Sequence, residues 1–243
     1  MNDDKFVRTE ILLGTAAMER LKSSTVAVFG IGGVGSFAVE ALTRAGIGHL
    51  VLIDHDVVDV TNINRQLHAT TKTVGKSKTE LMKARILDIN PATTVDTIDD
   101  FYLPTNEAGT DKFFVCDYDY VIDAIDTVTG KIGLVLECKR RGINIISSMG
   151  AGNKLDPTQF KVGDIFSTSV DPIAKVMRKK LKEHGVDALK VVYSTEKPRE
   201  LDSEALSKVP PSKKIIGSIS FVPSVAGLIL AGEVIKELAG VQH

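Results

Sequence analysis

Apolar residues along the chain fall into two kinds of pattern. Short continuous apolar runs predict buried parallel strands, and apolar residues three or four positions apart predict helices that pack on them. The predicted strands are residues 26–29, 49–53, 94–98, 121–122, 143–147 and 190–194. The predicted helices are two short ones within 5–22, then 38–45, 74–89, 129–141, 172–184 and 219–238. This alternation predicts an α/β fold, a Rossmann-like doubly wound and largely parallel sheet.

Residues 154–214 differ in character from the part before them. They contain two Asp-Pro pairs, a basic amphipathic helix at 172–184 and a loop rich in Lys, Pro and Ser at 197–214. We expect residues 1–153 to form a nucleotide-binding domain with N-terminal helices. Residues 154–243 would be a smaller C-terminal appendage for specificity and dimerisation, packed on the same sheet. The basic helix can either bind RNA phosphates or present a solvated face.

A glycine-rich segment, Gly30-Ile-Gly-Gly-Val-Gly35, connects the first predicted strand to the next predicted helix. Gly30, Gly32 and Gly33 let the backbone approach a phosphate closely, and the helix N-terminus offers free N–H groups to an anion. The second predicted strand ends at Asp54, whose carboxylate can accept hydrogen bonds from a ribose. Strand, glycine turn, helix and acid together predict a nucleotide-binding unit.

Polar side chains crowd the segment 56–66, which follows the second predicted strand. Asn62, Asn64, Arg65 and Gln66 lie within a few residues of one another there, beside the predicted nucleotide site. Side chains of these types can bond a phosphate or a sugar. The alternative is an ordinary surface loop stabilised by Asx turns.

The segment 74–80 opens a predicted helix that ends near Ile89, and it puts Lys76 and Lys78 in the first turn. A cation is unfavourable at the positive end of the helix dipole, so these lysines indicate a nearby anion. Two exposed lysines are the alternative. The Gly-Lys-Ser sequence is not a Walker A motif, because that motif needs a glycine where this chain has Thr70.

Two acids, Asp123 and Asp126, follow the fourth predicted strand at the sheet edge where ligands bind in open α/β folds. A carboxylate there can hold Mg²⁺ on a triphosphate. It can also cap the helix that is predicted to begin near Thr129. We expect one acid in each role.

The composition is neutral: the chain has 243 residues, 43% hydrophobic and 25% charged, with a formal net charge of −1. No global basic field therefore indicates nucleic acid. Cys116 and Cys138 form no C-x-x-C pair, which argues against a cysteine zinc site and a disulfide framework. The N-terminus lacks a signal-peptide pattern, so we expect a cytoplasmic protein. The apolar segment 219–238 favours a buried or dimer-interface helix over a membrane span; peripheral membrane association through it stays open.

Five elements, in this order and with these gaps, resemble the ubiquitin-activating-type adenylating superfamily, which includes MoeB and ThiF. They are Gly30 to Gly35, Asp54, Asn62-x-x-Arg65-Gln66, Gly75-x-x-Lys78-x-Glu80 and Asp126. The resemblance implies that residues 1–153 bind ATP and Mg²⁺. It also implies that a substrate carboxylate attacks the α-phosphate and that pyrophosphate is released.

The resemblance also implies a role for each matched residue. The nucleotide-binding residues would be Gly30, Gly32, Gly33, Asp54, Asn62, Arg65, Gln66 and Lys78. The catalytic residues would be Arg8, Arg65, Lys78 and Asp126, with Asp126 as the metal ligand. Taken alone, Arg8 is a solvated N-terminal charge. It matches the superfamily's arginine that reaches the triphosphate from the neighbouring subunit, which implies a homodimer with shared sites.

Three further segments, residues 120–126, 150–159 and 171–175, resemble the tRNA threonylcarbamoyladenosine dehydratase family. That family adenylates the free carboxylate of threonylcarbamoyladenosine in the tRNA anticodon loop. The neighbouring carbamoyl group then closes on the activated carbonyl, with net loss of water and release of AMP. The implied partners are this tRNA and a second copy of the chain, and not DNA. A sulfur-relay partner (a cysteine desulfurase) and a bound monovalent cation, Na⁺ or K⁺, stay open.

This chemistry needs no cysteine nucleophile, because the second nucleophile belongs to the substrate. Cys138 is predicted to lie mid-helix in the core, and Cys116 lies in an acidic stretch that would raise its pKa. The first alternative is adenylation of the C-terminus of a ubiquitin-like sulfur-carrier protein, as in ThiF and MoeB. The others are an NAD-dependent dehydrogenase, which leaves Asn62, Arg65 and Lys78 unexplained, and a nucleotide-sensing scaffold.

Overall fold

A computed structural model describes residues 4–104, 107–208 and 216–241. Its centre is one seven-stranded sheet. The strands are β1 (Thr25–Phe29), β2 (His49–Ile53), β3 (Thr94–Ile98), β4 (Tyr120–Asp123), β5 (Asn144–Ser148), β6 (Phe160–Asp164) and β7 (Lys190–Ser194). They lie in the order β3-β2-β1-β4-β5-β7-β6, and all neighbours are parallel except β6 and β7. The predicted Rossmann-like, largely parallel architecture is confirmed.

Helices cover both faces of this sheet. They are α1 (Val7–Leu13), α2 (Thr15–Ser23), α3 (Gly35–Ala45), α4 (Lys78–Ile89), α5 (Glu107–Asp111), α6 (Val128–Arg141), α7 (Pro172–Glu183), α8 (Ser203–Ser207) and α9 (Phe221–Leu238). On one face, α2, α3, α4 and α9 pack on the sheet in a single buried apolar cluster. On the other face, α6 and α7 contribute to two further buried clusters.

Successive residues of a strand point to opposite faces, and β1 shows how both faces are filled. Val26 and Val28 belong to the cluster under α3 and α9, whereas Ala27 and Phe29 belong to the cluster under α6. All four side chains are fully buried. A strand buried on both faces has an unbroken apolar sequence, which is why it was recognisable in the amino-acid pattern.

Most predicted elements are confirmed, and the bounds of β2, β3 and β7 agree with the prediction. Helix α4 differs, because Ser77 caps it and Lys78 is its first residue, so Lys76 lies outside the first turn. The edge strand β6 was not predicted. Its antiparallel pairing with β7 exposes Lys161 and Val162, which removes the continuous apolar pattern. Six residues of the predicted loop at 197–214, namely 209–214, lie outside the described residues.

Helix α9 is the predicted apolar tail, and its buried residues run from Val222 to Val234. It packs closely on α3: a Cβ added to Gly227 would lie 2.2 Å from the carbonyl oxygen of Val34. The expectation of a buried helix is therefore confirmed. None of the described helices is long and apolar enough to span a bilayer.

The strand order places the site. From β1 the chain passes outward to β2 and β3, then returns to the other side of β1 as β4. Neighbouring connections therefore leave β1 in opposite directions, and a crevice opens beyond the carboxyl ends of the strands there.

Candidate functional site

A cavity of about 560 Å³ lies at this crevice, beyond the carboxyl ends of β1, β2 and β4. It is lined by every residue that was predicted to bind the nucleotide and by the predicted metal ligand. These are Gly30, Gly32, Gly33, Asp54, Asn62, Arg65, Gln66, Lys78 and Asp126. Residues that are far apart in sequence thus meet at one sheet edge, because parallel strands bring their carboxyl ends together.

The loop after β1 needs glycine at its several positions for different structural reasons. Gly30 has a φ of +90°, and a Cβ there would lie 2.6 Å from the carbonyl oxygen of Ala124 after β4. A Cβ on Gly35 would lie 1.8 Å from the carbonyl oxygen of Gly30. These two glycines let the turn close tightly against β4. Gly32 faces the cavity instead, where the nearest atom to an added Cβ is 3.8 Å away.

Asp54 joins the end of β2 to the glycine loop. Its Oδ2 accepts a hydrogen bond from the backbone N–H of Ile31 at 2.6 Å, and its Oδ1 accepts one from the N–H of Asp56 at 2.8 Å. Each carboxylate oxygen has a second lone pair, which remains available to a hydroxyl in the cavity. The carboxylate is therefore fixed in position and can still accept hydrogen bonds from a ligand.

Lys78 is a buried cation at the start of α4, with 4% of its surface exposed. Its Nζ donates to Oδ2 of Asp56 at 2.6 Å and lies 4.0 Å from Oδ1 of Asp54. The ion pair offsets part of the cost of burying this ammonium group. The remaining donors of the ammonium can reach an anion in the cavity, which is what a cation at the positive end of a helix indicated.

The side chains of Asp54, His55 and Asp56 offer ligand atoms within 4.8 Å of one another. The ammonium group of Lys78 is already paired with the carboxylate of Asp56, so a metal ion bound to these three side chains would have to displace the ammonium group. A second feature of this corner is an edge-to-face contact between the rings of His55 and Phe101, with their centres 4.6 Å apart. Both residues line the cavity mouth.

The polar loop before α4 contains Asx-type turns and also reaches the cavity. Asp59 accepts from the N–H of Thr61 at 2.8 Å, and the Oδ1 of Asn62 accepts from the N–H of Asp59 at 3.1 Å. The backbone carbonyl of Asn62 then accepts from Arg65 and Gln66, so the three side chains that line the cavity are held by one turn. The expectation of local turns and the expectation of a clustered site are therefore both met in one loop.

Two members of that loop differ in surroundings. The Oε1 of Gln66 is buried and has no hydrogen-bond partner among the described residues. A bound ligand or water can supply the missing donor. Asn64 does not line the cavity; its amide donates to the carbonyl of Ser218 at 3.0 Å, which ties the loop to the segment before α9.

The two acids after β4 have unrelated roles. Asp123 is fully buried and accepts from Nζ of Lys131 on α6 at 3.2 and 3.1 Å. It does not cap α6, because Thr127 is the N-cap residue and no side chain caps that end. The expectation that one of the two acids caps this helix is wrong. The N-cap position falls at Thr127, one residue after Asp126, and the carboxylate of Asp123 is paired with Lys131 instead.

Asp126 is exposed and faces the cavity. Across residues 4–104, 107–208 and 216–241, no hydrogen bond or ion pair engages its carboxylate. An uncompensated carboxylate at the mouth of a polar cavity is a suitable ligand for a hard divalent cation. Among the described residues, Asp126 belongs to no group of three or more side chains that could hold a metal ion, so water or ligand oxygens would have to fill the remaining positions.

Arg8 lies outside this cavity. It is exposed on α1, a helix with no buried residue. Arg8 therefore does not line the cavity of its own chain.

Several lining residues escaped the sequence-based prediction. They include Asp100, Phe101, Tyr102, Thr127, Ile216, Ser218 and Pro223. The first three follow β3, so the rule that ligands bind at the carboxyl ends of strands could have identified them. The last three belong to the segment before α9 and to its first turn, which only tertiary packing brings to the site.

A buried histidine, His68, follows the polar loop in the chain. Both of its ring nitrogens lack a hydrogen-bond partner among the residues described. Burial, with a smaller contribution from the charge of Lys78, lowers the pKa of His68 to about 4. His68 is therefore neutral near pH 7.

Neither cysteine has the properties of a nucleophile. Cys138 is fully buried in α6, as predicted, and burial raises the pKa of its thiol far above the usual range. The pKa of Cys116 is also raised, first by partial burial and then by Asp96 and Asp117. The predicted effect of neighbouring acids on Cys116 is thus the smaller cause.

Comparison with known proteins gives consistent results. A protein-family model described as the ThiF family matches residues 7–243. The chain is 49% identical over 247 aligned positions to the tRNA threonylcarbamoyladenosine dehydratase of Bacillus subtilis (strain 168), which covers 96% of this chain and 94% of the relative. It is 46% identical over 178 positions to the enzyme of the same description from Escherichia coli (strain K12), covering 73% of this chain and 65% of that relative.

Solved structures agree with these sequence matches. The structure of E. coli tRNA N6-threonylcarbamoyladenosine dehydratase, TcdA, in complex with ATP superposes with a TM-score of 0.86 and 37% sequence identity. The match covers 98% of this chain and 94% of that chain. The complex of the same enzyme with AMP gives the same values.

Proposed function

The chain belongs to the ThiF family and, within it, to the family of the tRNA threonylcarbamoyladenosine dehydratases; from this premise we propose that it is an ATP-dependent dehydratase of threonylcarbamoyladenosine in tRNA. The observation that carries the proposal is the cavity itself. It brings a glycine loop, a ribose-type acid and the side chains of Arg65 and Lys78 to one sheet edge. The relative of 37% identity that binds ATP and AMP has this fold over nearly its whole length.

The reaction has two balanced steps. An oxygen of the substrate carboxylate attacks the α-phosphorus of ATP, the bond from that phosphorus to the bridging oxygen breaks, and pyrophosphate leaves. The carbamoyl group of the same nucleoside then attacks the activated carbonyl carbon, releases a proton to solvent and expels AMP. The oxygen lost by the substrate leaves on AMP, so the substrate loses one water in total. The second nucleophile is intramolecular, which fits a chain whose two thiols have raised pKa values.

The residues in the cavity suit the first step, which needs alignment and charge neutralisation more than covalent help. We propose that the backbone of Gly32 and Gly33 lines the phosphates and that Asp54 accepts from the ribose. Arg65 and Lys78 would stabilise the charge that develops at the α-phosphate and on the leaving pyrophosphate.

We further propose that Asp126 binds Mg²⁺, which when present neutralises phosphate charge and orients the triphosphate. A carboxylate without a protein partner fits this ion, because Mg²⁺ usually keeps several waters and takes one or two carboxylates together with phosphate oxygens. A monovalent cation stays a proposal without an assigned residue. Residues 154–243 are proposed to carry substrate specificity and dimer contacts. A cysteine desulfurase stays open as a sulfur-relay partner. A cytoplasmic location is proposed as well, and the two free cysteines fit it.

The function is tested by nucleoside mass spectrometry. The protein is incubated with Mg²⁺, ATP and tRNA that carries threonylcarbamoyladenosine, and the digested nucleosides are weighed. We expect a product lighter by one water that forms only with ATP. Absence of that product, together with pyrophosphate release when a small protein ending in Gly-Gly is added, would favour a sulfur-carrier activator instead.

We also propose that the protein is a homodimer in which Arg8 completes the partner's site. Helix α1 presents Ile11 and Leu12 to solvent with 81% and 82% of their surfaces exposed, and Val7 with 45%. Large apolar side chains grouped on one short helix favour a protein contact. A second copy that covered this helix would bury the patch and bring Arg8 to a subunit interface.

Mixing two inactive variants tests this arrangement. Arg8→Ala and Asp126→Ala should each lose turnover, and a refolded equimolar mixture should recover about a quarter of the wild-type activity. Random pairing makes half of the dimers mixed, and each mixed dimer has one site with both residues intact. No recovery in a mixture shown to exchange subunits would place Arg8 in its own chain's site or outside the site.

A further inference from the structure

Helix α7 has one strongly basic face. It contains five cations and one acid over Pro172–Glu183, in a chain whose net charge is −1. Lys175, Lys179 and Lys182 are all exposed. Their spacing of four and then three residues places them on one side of the helix. The buried residues Ala174, Met177 and Leu181 define the opposite side.

None of these three lysines forms an ion pair with an acid in the part of the chain that the structure describes. Lys179 nevertheless lies near enough to Glu183 to lower the pKa of that carboxyl, after the larger effect of the hydrogen bond from Lys180. Within α7, Lys180 pairs with Glu183 at 2.9 Å, and Arg178 donates to the carbonyl of Thr168 at 2.9 Å. The neighbouring helix α6 differs, because its exposed cations are compensated; Lys139, for example, pairs with Asp187 at 2.6 Å. Like charges held side by side repel one another, so an external polyanion would be favourable on this face of α7.

The start of α7 is fixed to the wall of the cavity. Asp171 caps the helix, with its Oδ1 accepting from the N–H groups of Ile173 and Ala174 at 2.9 and 3.0 Å. Its Oδ2 accepts from the N–H of Gly150 and from Nζ of Lys154, both at 3.0 Å. Gly150 is followed directly by Ala151 and Gly152, which line the cavity.

This junction is rigid because it is a buried ion pair. The side chains of Lys154 and Asp171 are 1% and 0% exposed. Moving α7 away from the loop would leave a buried charge without its partner, which is strongly unfavourable. The basic face of α7 therefore stands at a fixed position relative to the cavity.

We infer that this face of α7 is a docking surface for the phosphate backbone of the substrate tRNA. Lys175 and Lys182 are separated by roughly 10 Å along the helix axis, at about 1.5 Å per residue. Such a span reaches more than one phosphate, since phosphates follow one another every few ångströms along a strand. Contacts of this kind set the position of the RNA and leave recognition of the modified nucleoside to the cavity. The inference rests on the proposed function, since it states how the tRNA substrate of that site is held.

The test is the salt dependence of tRNA binding by a triple variant, K175Q/K179Q/K182Q. Glutamine keeps helix propensity while it removes the charge. Dissociation constants for tRNA are measured over a range of salt concentrations, without ATP and independently of turnover. We expect affinity to fall about tenfold or more near 0.1 M salt, and the slope of log affinity against log salt to flatten by about 2. ATP affinity should be unchanged, because none of the three lysines lines the cavity.

The matched control is K22Q/K72Q/K83Q, which removes the same charge from α2, from the loop before α4 and from α4. We expect its salt slope to equal that of the wild type. An unchanged slope in the α7 variant, or equal losses in both variants, would overturn the inference. Wild-type protein that binds tRNA but does not dehydrate it would contradict the proposed function while the slopes still decide the docking surface. Wild-type protein that does not bind tRNA would overturn both.

Discussion

Replacing Asp126 with asparagine is expected to lower ATP-dependent turnover by about a hundredfold or more, without unfolding the protein. The substitution keeps the size of the side chain and removes the negative charge that would hold Mg²⁺ at the end of β4. Stability should change little, since the carboxylate makes no hydrogen bond or ion pair with any described residue. ATP–pyrophosphate exchange over a range of Mg²⁺ concentrations measures the effect, and thermal melting measures stability.

Asp100→Asn is the matched control for this variant. Asp100 lines the same cavity, and the substitution changes the charge by the same amount. Its carboxylate, however, is already paired with the ammonium group of Lys112, which lowers its pKa. We expect turnover within a few-fold of the wild type. Equal losses in the two variants would mean that the overall charge of the cavity matters, and not a metal ligand at position 126.

The largest expected effect on stability is that of Lys131→Met, which should lower the free energy of unfolding by about 3–5 kcal/mol. Lys131 and Asp123 form an ion pair with 2% and 0% of their side chains exposed. Removing the lysine leaves a carboxylate buried in the sheet without its partner. Asp123 also accepts from the N–H of Ile125 at 3.1 Å, so the pair supports the turn that carries Asp126. Denaturant unfolding gives the stability.

Lys139→Met is the comparison for Lys131→Met, because both residues lie on α6 and both pair with an aspartate. The pair of Lys139 with Asp187 is at the surface, with side chains 48% and 87% exposed. Water screens an exposed pair of this kind, so it contributes little to stability. If Lys131→Met cost no more than Lys139→Met, the buried pair would not be a major source of stability. The double variant D123N/K131M should regain part of the loss, because it removes the buried charge.

The bounds of β2, β3 and β7 were predictable from sequence because strands of this sheet are specified locally. In β2 and β7 a short apolar run marks the strand, and in β3 the β-branched residues on either side of Asp96 mark it. The predicted part of the cavity lining followed with little more information, whereas residues such as Ile216 and Ser218 did not. Once the glycine turn identifies the first βαβ unit, topology places Asp54 and Asp126 at one edge.

The sequence did not predict which charged side chains are buried in ion pairs. Nothing in the sequence singles out Lys131 or Lys154, because isolated charged residues are almost always exposed. The structure buries both, Lys131 against Asp123 eight positions earlier in the chain and Lys154 against Asp171 17 positions later. No local pattern distinguishes these lysines from surface lysines.

The sequence by itself determined the nucleotide-binding unit: a buried strand, a glycine turn, a helix and an acid at a fixed distance. These features depend on backbone conformation and on periodicity, which neighbouring residues decide. Only the tertiary structure decided which charges are paired, where α7 stands relative to the cavity, and which faces stay open to a partner. Those outcomes depend on contacts between residues far apart in the chain, and desolvation makes their energy a property of the assembled fold.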